Sequence, residues 1–288
     1  MSVLDIIRRC AEVPSFSSHE ERLHPVVLDF IKNLPGVHHE AVHGNNLAIW
    51  TNAAPGAVTV VLSAHLDKIN HLDHDSTEKL PFRQTDDELI GQLDDTVGVG
   101  LCLRLLERLC KQSEIALYIL LSEMEEGHGI KNTPHLLRNG GKGLHYGIGA
   151  ERLSAWLKTR KVVPKVMLTL DPTPLFRGES GVAVYSEHWR LNGIKPTPEL
   201  VERTELAVRI LEELHPAIRR RNNGNDYLIY GREFNADGKG HVPSLAIEPA
   251  IHPCHAMPER VFIRDVQATE HLLFSFLTRL VGMHRWLV

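Results

Sequence analysis

Five short clusters of acidic residues and histidines mark where this chain could do chemistry: His65-Leu66-Asp67, Asp94-Asp95, Glu125-Glu126, Asp171 and His255. Taken singly, each has an ordinary structural reading. His-x-Asp is commonly a surface pair, and Asp-Asp ahead of a helix is commonly an N-cap with a dipole-matched neighbour. Glu-Glu after a strand is usually a solvated turn, and Asp171 before Pro172 a turn starter. Their joint placement is the signal, because four apolar segments run out into them. Residues 58–64 end in His65, 115–121 end in Ser122 to Glu126, and 165–170 end in Asp171; 242–247 are soon followed by His252-Pro253-Cys254-His255. Asp94-Asp95 opens the segment at Thr96. In open α/β sheets, ligands bind beyond the carboxyl ends of the strands. Oxygen and nitrogen donors without thiolates suit zinc, manganese or cobalt. One carboxylate shared by two cations, each completed by a histidine and a further carboxylate, builds a two-metal site. Such a pair clamps a water and polarises a carbonyl. A carboxylate outside the ligand set must then take the water's proton.

The elements that would position these groups follow from periodicity. Residues 2–13 and 18–34 carry helical spacing, the second behind the start signal Ser17-Ser18-His19-Glu20-Glu21. Residues 46–50 and 58–64 read as short strands, and 88–92 as a further one. The fully apolar run 115–121 has the mark of a central, buried strand; 165–170 and 242–247 look like two more. Residues 96–109 form a helix with Leu101, Leu105 and Leu109 on one face, and 197–214 and 264–280 are long amphipathic helices. This alternation predicts an α/β fold, a three-layer α/β/α sandwich with a mixed central sheet, as one catalytic domain over residues 1–288. Residues 68–84 and 175–181 read as polar loops. The glycine-rich 140–149 has neither phosphate-loop nor dinucleotide spacing and reads as a flexible surface loop.

Composition narrows the function classes. The chain of 288 residues is 43% hydrophobic and 24% charged, which is globular rather than disordered. A net charge of −4 gives no basic footprint for nucleic acid. No apolar run approaches the roughly 18 residues of a membrane helix, and the first residues lack signal-peptide character. The 4 cysteines are scattered without a CxxC pair, so neither a disulfide framework nor a cysteine zinc site is expected. A reducing, cytoplasmic setting follows as the expectation, with neither nucleic acid nor membrane as partner. The 18 histidines are the unusual count, and histidine is the commonest metal ligand.

In order and kind, the clusters resemble those of the co-catalytic di-zinc exopeptidases, the leucyl-aminopeptidase and glutamyl/tetrahedral aminopeptidase types with their carboxypeptidase relatives. That pattern appears here as His65-Leu66-Asp67, Gly91-Gln92-Leu93-Asp94-Asp95, Glu125-Glu126, Asp171 and His255, from about residue 2 to about 282. His43-Gly44-Asn45-Asn46-Leu47 looks like the family's Gly-Asn strand opening. The resemblance implies two divalent cations, zinc with cobalt or manganese as alternatives. Asp94 would bridge them, His65 and Asp171 completing one and Glu126 and His255 the other. Glu125 would be the general base. Asp67 would hold the His65 ring through its distal nitrogen. The Asp94–Asp95 peptide would be cis.

The short interval from Asp67 to Asp94 leaves no room for the inserted domain of the tetrahedral type. The interval from Asp171 to His255 leaves little for a carboxypeptidase lid. The chain thus resembles a bare catalytic core; oligomerisation stays open, but the missing insert argues against a dodecameric shell. Asn235-Ala236-Asp237-Gly238 sits where the tetrahedral type has a substrate-pocket turn, which nominates Asp237. His128 replaces a small residue beside the base and could touch substrate. Cys254, directly before His255, is open to two readings, a thiol near the metals or a buried small residue, of which the second is the expectation. The resemblance implies an aminopeptidase acting on peptides or small N-aminoacyl substrates through a metal-activated water. A deacylase or carboxypeptidase-like dipeptidase on the same site is the first alternative. An aminoacyl cyclase and a non-catalytic relict are the others. Glu179 and Glu248, or Arg177, Arg232 and Arg260, could serve a substrate amine or carboxylate respectively.

Overall fold

β-Branched and leucine-rich runs make the strands, and amphipathic stretches with polar caps make the helices. In a computed structural model, which describes residues 1–284, the chain opens with α1 (Val3–Ala11), α2 (His24–Ile31), β1 (Val37–Val42), β2 (Asn46–Thr51) and β3 (Val58–His65). It continues through β4 (Arg83–Gln84), β5 (Glu88–Gly91), α3 (Thr96–Leu109), β6 (Ile115–Ser122), α4 (His128–Asn132) and α5 (Ile148–Thr159). Then come β7 (Val166–Leu170), β8 (Val182–Tyr185), α6 (His188–Asn192), α7 (Pro198–Leu214) and β9 (Arg219–Arg221). The last elements are α8 (Asp226–Asn235), β10 (Ser244–Pro249), β11 (Glu259–Phe262) and α9 (Ile263–His284). Caps are placed as helix physics requires: Ser2 and Asp5 form a capping box on α1, Asp95 caps α3, and Thr197 with Pro198 starts α7.

An eight-stranded sheet runs β1-β2-β6-β3-β7-β10-β8-β9. Its centre is parallel, β6 with β3, β3 with β7 and β7 with β10. β2 lies antiparallel on one flank and β8 on the other, so the sheet is mixed. A small antiparallel sheet, β11-β5-β4, stands apart from it. Both faces of the large sheet are covered. Val58, Val60 and Leu62 of β3 pack with α1, α3, α7 and α9, whereas Val61 packs with α5 and α8. That alternation along one strand is the signature of a sheet between two helical layers. The architecture is the α/β/α sandwich expected from the sequence. No helix among the described residues is long and apolar enough to cross a membrane.

Several expectations needed correction. The segment 18–34 is not one helix. Ser18 takes a left-handed φ of 68°, a 3₁₀ turn covers Glu20–Leu23, and α2 follows. The start signal is used differently: Glu20 turns inward and accepts the Ser18 N–H at 2.8 Å. β1, β8 and β9, and helices α5 and α8, were absent from the reading. β1 is a half-exposed edge, so His38, His39 and Glu40 interrupt its apolar pattern. α5 starts inside the glycine-rich 140–149, with Gly147 in the left-handed region at its N-cap. The loop 68–84 is tied down by Arg22 on Asp75 and by the Leu80 N–H on the Glu12 carbonyl.

The layer contact that sets the site is α3 against β7. A Cβ at Gly98 would lie 2.2 Å from the Leu170 carbonyl oxygen, the last residue before Asp171. Gly98→Ala must therefore push α3, and with it Asp94 and Asp95, away from β7. Overpacking of this kind costs about 1–3 kcal/mol. A urea titration is expected to show that loss with an unchanged m-value, and wild-type stability would contradict the packing described.

Candidate metal centre

Parallel strands place their carboxyl ends along one edge, so the residues that follow β3, β6, β7 and β10 meet there. His65 closes β3, Glu125 and Glu126 follow β6, Asp171 follows β7, and His255 lies on the loop after β10. Asp94 enters from the turn before α3, through a cis Asp94–Asp95 peptide. The Asp94 carboxylate stands between two imidazoles. Its Oδ1 is 3.1 Å from His65 Nε2, and its Oδ2 is 3.3 Å from His255 Nε2. Asp171 Oδ1 lies 3.8 Å from His65 Nε2, and Glu126 Oε1 lies 3.5 Å from His255 Nε2. Glu125 Oε2 is 4.0 Å from His65 Nε2. Two half-sites thus share one carboxylate, each with its own histidine and second carboxylate.

The turn that carries Glu125 and Glu126 has left the sheet, so its backbone donors need other acceptors. Side chains supply all four. The N–H of Glu123 donates to Asn46 Oδ1 at 2.9 Å and that of Met124 to Glu20 Oε1 at 3.2 Å. The N–H groups of Glu125 and Glu126 donate to the two oxygens of Asp67, each at 3.0 Å. Asp67, wholly buried, also accepts from Ser17 Oγ at 2.9 Å and lies 3.3 Å from His65 Nδ1. His65 Nδ1 makes its hydrogen bond to the Asp67 backbone carbonyl at 3.0 Å, so Asp67 orients the histidine through its carbonyl and the glutamate pair through its carboxylate. A second buried carboxylate, Glu259, accepts the N–H groups of Leu93 and Asp94 through Oε2 and that of His255 through Oε1. Asn225 Nδ2 bridges Asp171 Oδ2 and Glu248 Oε1 at 3.1 and 2.7 Å. Asp95 receives the Gly98 and His65 N–H groups.

The charges are strained by burial. His65 loses solvation, but the carboxylates of Asp67 and Asp94 outweigh that and hold its imidazole well above the ordinary value. Burial likewise opposes ionisation of Asp94, yet the rings of His255 and His65 keep it well below the usual carboxylate range. Burial pushes Glu125 up to about 8, with Asp226, Asp67 and Asp94 adding repulsion that His65 only partly offsets. Glu126 and Asp171 are raised well above normal by burial and then by Asp94. No lysine or arginine within the described residues pairs with Asp94, Glu126 or Asp171. Buried carboxylates without cationic partners are costly, and oxygen and imidazole donors at these separations fit divalent cations. His65, Asp94 and Asp171 could hold one ion; His255, Asp94 and Glu126 could hold a second.

The expected site residues do not all converge. His65, Asp67, Asp94, Glu125, Glu126, Asp171 and His255 come together; Asp237 does not. It lies ahead of β10, at the end of the sheet opposite the site, exposed and accepting the N–H groups of Lys239 and Gly240. The resemblance to a substrate-pocket turn had suggested it, but here the turn lies at the start of β10, away from the site. His128 starts α4 half-buried, its Nδ1 3.2 Å from Asn132 Nδ2 on its own helix. Cys254 is not a buried core thiol: it is partly exposed, with Sγ 3.9 Å from Asp94 Oδ2. Glu123 points away from the centre, to Asn45, Asn46 and Arg152. The glycine-rich segment, expected as a featureless loop, brings the Tyr146 hydroxyl to donate to Glu125 Oε1 at 3.3 Å. Sequence reasoning also missed the roles of Glu20, Asn225 and Glu259, whereas Asn46 falls in the strand opening that the resemblance had picked out.

No family model matches the chain, and no curated protein matches it. Solved structures do. The Pyrococcus horikoshii TET1 peptidase, which can assemble into a tetrahedron or a large octahedral shell, is 13% identical. It aligns over 96% of this chain and 99% of its own, with a TM-score of 0.64. A TET aminopeptidase from the marine sediment archaeon Thaumarchaeota archaeon SCGC AB-539-E09 is 11% identical over 96% of both chains, with a TM-score of 0.68. A Staphylococcus aureus tripeptidase is 12% identical over 97% of this chain and 98% of its own, with a TM-score of 0.64. The likeness is one of fold and covers nearly the whole chain, as the motif resemblance implied.

The buried carboxyls make stability depend on pH. Burial raises Glu20 and Glu125 to about 8 and Asp226 and Glu259 to about 7. Between about pH 4.5 and these values the folded chain keeps protons that the unfolded chain has released. Its stability is therefore highest at the acidic side and falls as pH rises. Buried Lys68, lowered to about 7, works in the other direction only above that pH. With chelator present, Tm is expected to fall steadily from pH 5 to 7. Added zinc should raise Tm, and more so at pH 7, because cations bind the ionised carboxylates. A flat profile unaffected by zinc would contradict the electrostatics described.

Proposed function

We propose that this chain is a metal-dependent exopeptidase that removes the N-terminal residue of a peptide. The shared carboxylate of Asp94, straddled by His65 and His255 with Glu125 alongside, carries the assignment. His65 and Asp171 would hold one cation, Glu126 and His255 the other, and Asp94 both. Two divalent cations bound there, zinc or alternatively cobalt or manganese, would polarise the scissile carbonyl and lower the pKa of a water. Glu125 takes the proton of the attacking water and passes it to the leaving nitrogen. Burial holds this carboxyl near 8 without cations, and the positive charge of bound cations would bring it down so that it is ionised to accept that proton at neutral pH. Asp67 fixes Glu125 through its N–H, and Tyr146 holds the carboxylate from the other side.

The sign of the surroundings favours a free amine on the substrate over a free carboxylate. Asp67, Asp94, Glu125, Glu126, Asp171 and Asp226 are all buried around the centre. Of the arginines that could have received a carboxylate, Arg232 pairs with Glu151 and Glu233, and Arg260 with Glu88. Of the acids considered for the amine, Glu248 is committed to Asn225, and Glu179 is exposed. The TET aminopeptidase and the tripeptidase among the fold relatives are peptidases of the same general kind.

Zinc-reconstituted protein is expected to hydrolyse aminoacyl amides with a free amine and to spare their N-acetylated counterparts. Glu125→Gln should lower kcat about 100- to 10,000-fold while metal content, read by elemental analysis, stays at the wild-type level. Preference for the acetylated set would instead assign a deacylase, and full activity in Glu125→Gln would remove Glu125 as the base.

A further inference from the structure

Three donors already crowd the His255 side of the centre, and a fourth stands within reach. Cys254 Sγ, His255 Nε2 and an oxygen of Asp94 all lie within 4.8 Å of one another. Glu126, 4% exposed, accepts no side-chain or backbone hydrogen bond among the described residues, and its carboxylate faces His255 Nε2 at 3.5 Å. Donors about 2.0–2.3 Å from a tetrahedral zinc lie about 3.3–3.7 Å from each other. The observed separations are 3.3 Å for His255 to Asp94, 3.5 Å for His255 to Glu126 and 3.9 Å for Cys254 to Asp94. His255, Asp94 and Glu126 therefore need little movement to close around one ion, and Cys254 Sγ would take a further position beside the one left for the water.

The backbone holds the thiol in place. Glu259 accepts the N–H of His255 through one oxygen and those of Leu93 and Asp94 through the other. The Cys254–His255 segment and the Asp94 turn are thus clamped by one carboxylate. Cys254 is the cysteine of this chain that stands near acidic or imidazole donors. Cys10 and Cys102 are wholly buried in the apolar core, and Cys110 ends α3 with its thiol on the Glu107 carbonyl.

We propose that Cys254 supplies its sulfur as a ligand to the cation held by Asp94, Glu126 and His255, making that half-site selective for zinc or cobalt(II) over manganese and magnesium. The inference rests on the two-cation reading of the site. The thiol proton leaves to solvent as the sulfur–metal bond forms. Soft thiolate favours zinc and cobalt, whereas an all-oxygen and imidazole set would not discriminate strongly against manganese. The two halves then differ: His65 with Asp171 has no sulfur, and His255 with Glu126 does.

Cobalt(II) added to the metal-depleted full chain separates the possibilities. Visible d–d bands count the bound cobalt, and a near-ultraviolet thiolate-to-cobalt charge-transfer band reports sulfur. The wild type should show both. Cys254→Ser should keep the d–d bands at high cobalt, lose the charge-transfer band, and bind one of the two ions at least about tenfold more weakly, since even groups that only support a ligand commonly cost 10- to 100-fold. Its manganese affinity should change little. Two bound cobalt ions without the charge-transfer band, or a band that survives in Cys254→Ser, would overturn the sulfur ligand and leave the two-cation reading standing. No cobalt bound at all would overturn both.

Discussion

Everything at the centre depends on how one turn leaves the sheet. After Ser122 the chain abandons the ladder, and four successive N–H groups, from Glu123 to Glu126, would be buried without partners. Asn46, Glu20 and Asp67 accept them. Each such bond to a charged acceptor is worth about 1.5–3 kcal/mol, and each buried donor left alone costs about 1–3. The turn is thereby held in one conformation with Met124 in the left-handed region, which sends Glu123 outward and Glu125 and Glu126 inward. Asp67 is the hinge of this arrangement, since the same carboxylate lies against the His65 ring.

A second constraint comes from charge. Carboxylates from three strand ends and two helix starts converge where water is largely excluded. Two imidazoles are the cationic groups that meet Asp94, and their combined effect is to hold it ionised while Glu125, Glu126 and Asp171 are pushed towards the protonated state. Such a cluster is unfavourable for the fold alone. Divalent cations held there would offset the mutual repulsion of these carboxylates and favour their ionised forms. Glu259 and Asn225 then serve position rather than charge, fixing the Asp94 and His255 backbones and the Asp171 side chain.

The sandwich and its reactive edge were legible because both are written locally. Fully apolar runs such as residues 115–121 declare a buried strand, and a donor placed directly at the end of such a run inherits its position from the strand. What was not legible is long-range. Glu20 looks like half of a surface Glu-Glu pair, yet it turns inward to a backbone about a hundred residues away. Glu259 lies on β11, a short edge of the small sheet whose alternation is too brief to read. Edge strand β1 is half-exposed, and α5 and α8 begin behind glycines that resemble loop punctuation. Asp237 was misplaced because a short motif resemblance at 235–238 does not say at which end of the following strand the turn falls. Cys254 packs partly against the core while its sulfur stands near Asp94, so both readings of the thiol have a place in the structure.

The most direct test is crystallographic. Crystals grown with zinc, measured on both sides of its absorption edge, would locate the ions without reference to activity. The account predicts two anomalous peaks flanking the Asp94 carboxylate, one against His65 and Asp171 and the other against His255 and Glu126. A single peak, or peaks that leave Asp94 untouched, would contradict it.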